Sequence, residues 1–302
     1  MSDLESLISR AERLLARLES ALPQPMTAPD WQAAIAFRYR KRTAGWGAAV
    51  GVLEPVRHLT PIALDDLHEI DEQKARLLRN IEQFVQGRPF NHVLLTGARG
   101  TGKSSLIKAC LNAFAAQGLR LIEMDKADLV DLPDMSELLA QRPEKFLIFC
   151  DDLSFDEGES GYKALKSMLD GSVAASTPNV LICATSNRRH LLPEYTQDNL
   201  RPGRSPDGEL HPGEAVEEKT SLSERFGIWL SFYPFSQEAY LAIVHQWLRS
   251  LGLPEAEVSQ AMPEALVWAL ERGSRSGRVA RQFANDYMGR HLAHARTPSS
   301  HD

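Results

Sequence analysis

Eight residues, Gly97-Ala98-Arg99-Gly100-Thr101-Gly102-Lys103-Ser104, constrain this chain more than any other stretch. They fit G-x-x-x-x-G-K-[ST] without a mismatch, between an apolar run at Val93–Thr96 and a helical pattern at Lys103–Gln117. Glycines let backbone N–H groups curl around phosphate oxygens, and the positive end of the following helix adds to that field. Lys103 is placed to reach the outer phosphates of a nucleotide, and the Ser104 hydroxyl suits Mg²⁺. The expectation is ATP held by Gly97 through Ser104 and the adjoining Ser105.

The pattern around the loop sets the fold class. Short apolar runs at Val93–Thr96, Leu119–Met124, Lys145–Cys150, Val180–Thr185 and Trp229–Phe232 alternate with helical stretches at Lys103–Gln117, Ser136–Gln141 and Ser160–Leu169. Alternation of this kind predicts a parallel sheet covered on both faces. Upstream, Asp71 is expected to cap a helix running to Gln86, with Gly87 as its stop. From Ser236 onward the pattern is wholly helical, at Gln237–Leu251, Pro263–Arg272 and Arg278–Ala293. The expected architecture is an α/β P-loop NTPase core with a parallel five-stranded sheet, then a small all-helical lid, with a helical N-terminal extension. The corresponding boundaries are 1–60 for the extension, 61–234 for the core, 235–295 for the lid and 296–302 for a disordered tail.

In the extension, Leu4, Leu7, Ile8, Ala11, Leu14, Leu15, Leu18 and Leu22 form an amphipathic helical stripe closed by Pro23. Such a stripe packs on its own domain or on a partner helix more readily than on a membrane. Trp31 to about Arg42 reads as a second helix ending in Arg38-Tyr39-Arg40-Lys41-Arg42. With Trp46 that cluster has the chemistry to grip a nucleic-acid backbone and stack bases; its bland alternative is a solvated helix end.

Candidate catalytic groups fall at the predicted strand ends. Phe146–Asp152 is an apolar strand closed by two carboxylates, placed to lie beside the first strand at the sheet's carboxyl edge, where ligands bind in open α/β folds. Asp151 suits Mg²⁺, through water, and Asp152 suits polarisation of an attacking water. The next strand ends in Thr185-Ser186-Asn187. Asn187 is the leading candidate to position that water or sense the γ-phosphate, with Thr185 and Ser186 behind it. Arg225 has the chemistry to stabilise transition-state charge at a neighbour's nucleotide. Arg278, opening the last helix, is placed to couple lid closure to nucleotide, with Arg275 and Arg281 as alternatives. Salt-bridged or solvated arginines are the plain alternative for each.

Bulk properties exclude little else. Cys110, Cys150 and Cys183 are widely spaced, and two lie in apolar strands, so buried reduced thiols are expected. His291 and His294 share a helix face without a third ligand nearby. The net charge of −6 exerts no global pull on nucleic acid, and no apolar run reaches membrane-span length, so a cytoplasmic protein is expected.

These residues together resemble the AAA+ ATPase superfamily over about residues 60–293. Gly97–Ser104 is similar to its Walker A, Phe146–Asp152 to its Walker B, Asn187 to its sensor 1 and Arg278 to its sensor 2. Arg225 resembles its arginine finger, in an S-x-R-F-G stretch similar to that of Holliday-junction branch-migration motors. In finer detail, Gln73–Phe90, His211–Lys219 and Phe232–Ala242 resemble a bacterial family of single-module AAA+ ATPases whose cellular role is unassigned. The resemblance implies a homo-oligomeric ring or spiral with ATP between subunits, Arg225 acting across the interface, and adenine near His68 and Ile70. It leaves the protein or nucleic-acid partner open. Two departures matter: Asp152 stands where many relatives have Glu, and Asp125–Asp134 lacks the aromatic residue and glycine of a threading pore loop. Phe155 and Gly158 are the remaining candidates for such a loop. Besides a remodelling ATPase, a nucleotide-gated binding module with slow or no hydrolysis fits the same residues.

Overall fold

A computed structural model describes residues 2–21, 26–43, 49–59, 61–155, 159–170, 177–188, 191, 203–204, 210–211 and 222–295. In chain order the elements are α1 (Ser2–Ala21), β1 (Ala36–Thr43), β2 (Ala49–Pro55), α2 (Asp71–Val85), β3 (Val93–Gly97), α3 (Lys103–Phe114) and β4 (Leu119–Glu123). Then come α4 (Leu132–Leu139), β5 (Lys145–Cys150), α5 (Ser160–Leu169), β6 (Val180–Ser186), β7 (Gly203–Arg204), β8 (Leu210–His211) and β9 (Ile228–Phe232). Three helices close the chain: α6 (Gln237–Ser250), α7 (Glu255–Glu271) and α8 (Gly277–Ala295).

The sheet runs β2-β1-β4-β5-β6-β3-β9. Its five strands β4, β5, β6, β3 and β9 are mutually parallel, as the alternation of apolar runs and helices predicts. Strands β3, β5 and β6 are buried on both faces, which explains why they read as nearly continuous apolar runs. Along β6, Val180, Ile182 and Ala184 join one core, while Leu181 and Cys183 join the other. A third cluster, built from Tyr240, Val244, Leu248, Ala265 and Phe283 among others, holds α6, α7 and α8 together as the lid. The described residues thus form a largely parallel α/β core followed by a three-helix lid.

One element is corrected. The expected helix at Trp31–Arg42 is instead strand β1, joined parallel to β4 and antiparallel to β2. Phe37 and Tyr39 are buried while Arg38 and Arg40 beside them are exposed, an alternation of period two that a strand satisfies. Trp31 locks the strand from beneath, packing edge-on against Phe37 and Phe146. Among the described residues, the first sixty therefore supply two strands to the same sheet and a helix at Ser2–Ala21.

Smaller differences have local causes. Asp71 is the first residue of α2, and the cap position falls to Ile70, whose side chain accepts nothing. The far end behaves as expected: Gly87 adopts φ +71°, its N–H bonds to Phe84 O, and the Arg88 N–H bonds to Gln83 O. Helix α7 begins at Glu255, well before Pro263, because Val258, Ala261, Ala265 and Ala269 form one buried stripe that winds the earlier turns as well. Most of 194–220 and all of 296–302 lie outside the described residues; within the former, β7 and β8 pair antiparallel.

Candidate functional site

The carboxyl ends of β3, β5 and β6 meet one another beneath the lid. Gly97 ends β3 at φ +128°, and a Cβ there would lie 1.8 Å from the Phe232 carbonyl oxygen of β9. Only glycine lets the loop leave the sheet so close to its neighbour. Gly102, at φ +99°, caps α3, and the N-terminus of that helix opens onto the loop. Backbone N–H groups and the helix dipole thus converge on one hollow.

Lys103 is buried at 6% exposure and donates from Nζ to Gly97 O and Ala98 O at 2.7 Å each and to Asn187 Oδ1 at 3.1 Å. Burial lowers its pKa, Asp151 and Asp152 oppose that shift, and Arg99 and Arg278 add to it. Strand β6 lies between β3 and β5, so the acidic strand is not beside the loop strand as expected. The acids reach the loop across that gap. Ser104 Oγ donates to Asp151 Oδ1 at 2.6 Å, and Thr185 Oγ1, from β6, donates to the same oxygen at 2.6 Å.

Thr185 also accepts the Asp152 N–H at 2.9 Å. That bond holds Asp152 at φ +53°, a left-handed turn uncommon for a residue with a Cβ. In this turn Asp152 Oδ1 accepts from Asn187 Nδ2 at 2.6 Å, and Oδ2 stands 3.5 Å from Arg99 Nη2. The sequence offered Thr185 only as an alternative to Asn187; the geometry gives it a separate task, fixing both acids at once. Its adjacency to Asn187 and burial at 1% are the marks of that role.

A cavity of about 720 Å³ spans the loop and lid. It is lined by Arg99 through Ser105, Asp151, Asp152, Thr185 and Asn187 at the phosphate end, and by Ile62, His68 and Ile70 at the other. The lid contributes Phe235, Ile243, Trp247, Arg278, Arg281, Gln282 and Asn285, of which only Arg278 and Arg281 stood out in the sequence. The lid meets the loop directly, where the Arg278 N–H points at Gly100 O at 3.4 Å. Arg281 lies over the Trp247 ring at 5.0 Å. Adjacent hydroxyl and carboxylate oxygens at Ser104 and Asp151 are hard donors that fit a divalent cation such as Mg²⁺.

Other candidates fall elsewhere. Arg225 pairs with Asp170 at the end of α5 and does not line the cavity; neither does Arg275. Phe155 is fully buried against Tyr162, so it is a core residue and not a pore-loop aromatic; Gly158 lies outside the described residues. In the basic cluster, Arg38 pairs with Glu123, Lys41 with Asp131 and Arg42 with Glu54, which spends much of the charge a nucleic-acid backbone would need. Trp46 is outside the described residues. His291 stacks on Tyr287 and pairs with Glu257, and among the described residues no cluster of three metal-ligating side chains occurs. All three cysteines are buried and free. No helix among the described residues is long and apolar enough to cross a membrane.

Residues 32–291 match a family model described as a protein of unknown function, DUF815. Among solved structures, a Thermotoga maritima RuvB mutant aligns with 74% of this chain and 64% of its own at 15% identity and a TM-score of 0.48. A chain of the E. coli MS115-1 HORMA:CdnC:Trip13 complex aligns with 74% of this chain and 90% of its own at 16% identity and a TM-score of 0.47. C. elegans PCH-2 aligns with 78% of this chain and 65% of its own at 16% identity and a TM-score of 0.46. The chain spans under two thirds of the length of these RuvB and PCH-2 chains. No curated protein matches the sequence.

Proposed function

The chain belongs to the DUF815 family, and on that premise we propose that it is a Mg²⁺-dependent AAA+ ATPase. It hydrolyses ATP to ADP and phosphate between subunits and couples the cycle to remodelling or loading of a macromolecular partner. One observation carries this reading: the phosphate-loop hydroxyl of Ser104 and the carboxylate of Asp151 meet at 2.6 Å beside the buried ammonium of Lys103. A cation donor set and a phosphate cradle therefore share one hollow.

In the proposed reaction Gly97 through Ser105 hold the phosphates, and Ile70 bounds the adenine end. Ser104 and Asp151 would hold Mg²⁺, which would supply charge neutralisation for the phosphates. A water oxygen bonds to the γ-phosphorus as the bond to the β–γ bridging oxygen breaks, and the water's proton passes to Asp152. Asn187, bonded to both Lys103 and Asp152, sets the water between phosphate and base. Arg278 reports lid position to the γ-phosphate. Arg225 acts at the nucleotide of a neighbouring copy in a ring or spiral, and its place outside the chain's own cavity supports that assignment. Three free, buried thiols suit a cytoplasmic home.

A second reading, a nucleotide-gated binding module with little hydrolysis, is favoured by one feature. Both carboxylate oxygens of the short Asp152 already face protein partners, Asn187 and Arg99. Steady-state ATP turnover against protein concentration, for wild type and Asp152→Asn, separates the two. The ATPase reading expects turnover that rises with concentration and collapses in the variant. ATP binding with no turnover at any concentration would leave the gated module.

A further inference from the structure

Helix α1 leaves its described apolar side chains exposed. Every described side chain from Glu5 to Ala16 is exposed, including Leu7 at 67%, Ile8 at 48%, Leu14 at 54% and Leu15 at 58%. A twenty-residue helix in water draws most of its stability from packing an apolar face, so this stripe calls for a cover. The family match begins at residue 32, so the helix lies outside the matched residues.

The order of residues identifies the cover. In a heptad register, Leu4, Ala11 and Leu18 take position a, Leu7 and Leu14 position d, and Ile8 and Leu15 position e. An a/d/e face is the broad stripe of a helix inside a bundle, wider than a simple two-stranded seam. Position b, bordering the e edge, is acidic throughout: Glu5, Glu12 and Glu19. Position g, bordering the d edge, holds Arg10 and Arg17. Asp3 at the first g position is the exception, and it sits in the first turn, where the helix dipole favours an acid.

One flank of the stripe is therefore negative and the other positive. We infer that α1 is a self-association arm, covered by α1 of further copies of this chain in a parallel, in-register bundle. Parallel packing brings the g flank of one helix to the e and b flank of the next, so Arg10 meets Glu12 of the neighbouring copy. An antiparallel pair would set arginine flank on arginine flank and glutamate flank on glutamate flank. Basic edge against acidic edge is also a heterologous contact, which repeats around a closed ring. An anionic membrane surface is a poor cover, because glutamates border the apolar face and acids outnumber arginines in the helix. The inference stands apart from the ATPase reading, since it needs neither nucleotide nor hydrolysis.

The test is sedimentation equilibrium of the full chain without nucleotide. Wild type is expected to associate, and Leu7→Asp combined with Leu14→Asp to raise the concentration for half-assembly by about 100-fold or more. Arg10→Glu alone and Glu12→Arg alone are each expected to weaken association about 2- to 5-fold, and the two together to restore it. Leu7→Cys is expected to crosslink to its own counterpart under mild oxidation, the native cysteines being buried. A monomeric wild type would overturn the inference. So would assembly indifferent to the paired aspartates, absence of charge-swap rescue, or assembly without crosslinking at position 7.

Discussion

Acidification should destabilise this protein through one imidazole. His92 enters strand β3 with its ring partly buried, edge-on to Phe90, and its Nδ1 accepts the Ile182 N–H of β6 at 3.1 Å. Burial drops its pKa from 6.5 to about 4. The folded state thus binds the proton less well than the unfolded chain. The contribution of neutral His92 is complete above pH 6.5 and is lost as pH falls from there through about 4. At about 1.4 kcal/mol for each pH unit, discounted for the ring's remaining solvent contact, the loss is about 2–3 kcal/mol. Protonation also removes the acceptor of the Ile182 N–H, tying the loss to the β3–β6 seam that carries the phosphate loop and Asn187. The assay is urea unfolding followed by tryptophan fluorescence at pH 7.5 and 4.5, for wild type and His92→Asn, whose Oδ1 keeps an acceptor near the Nδ1 position. Wild type should lose about 2 kcal/mol more than the variant between the two pH values. Equal losses would refute the assignment of the shift to His92.

Two further substitutions test the scaffold beneath the site. Thr185→Val keeps the shape but removes the bond to Asp151 and the acceptor of the Asp152 N–H; turnover should fall about 10- to 100-fold while Mg²⁺-free ADP affinity changes little, and Thr185→Ser should recover most of the loss. Steady-state kinetics beside a fluorescent-ADP titration check it, and a matching loss of ADP affinity would recast Thr185 as a folding residue. Gly97→Ala should cost about 3 kcal/mol or more in chemical unfolding, because its Cβ would meet the Phe232 carbonyl, whereas Gly118→Ala, at φ +91° with open space around it, should cost only about 1 kcal/mol.

The parallel core was legible because β3, β5 and β6 are buried on both faces and so announce themselves as apolar runs. The phosphate loop was legible because its geometry demands particular residue types. Strand β1 was hidden because Arg38, Arg40 and Arg42 on its exposed side read as a basic helix end, and their partners Glu123 and Glu54 lie outside that stretch of sequence. The sheet order was also hidden, since the interposition of β6 depends on long-range pairing that no local spacing encodes. Thr185 looked ordinary for the same reason: its importance comes from Asp151 and Asp152, more than thirty residues away. The lid wall, with Trp247, Gln282 and Asn285, carries no motif and emerges only when α6 and α8 pack over the loop.

The most direct test of the central claim is calorimetric titration of ATP into the protein with and without Mg²⁺, for wild type, Asp151→Asn and Lys103→Ala. Wild type should bind ATP at least about 10-fold more tightly with Mg²⁺. Asp151→Asn should lose that gain while keeping metal-free affinity, and Lys103→Ala should bind poorly in both conditions. ATP affinity indifferent to Mg²⁺, or a Mg²⁺ effect unchanged in Asp151→Asn, would contradict a shared metal and phosphate site at Ser104 and Asp151.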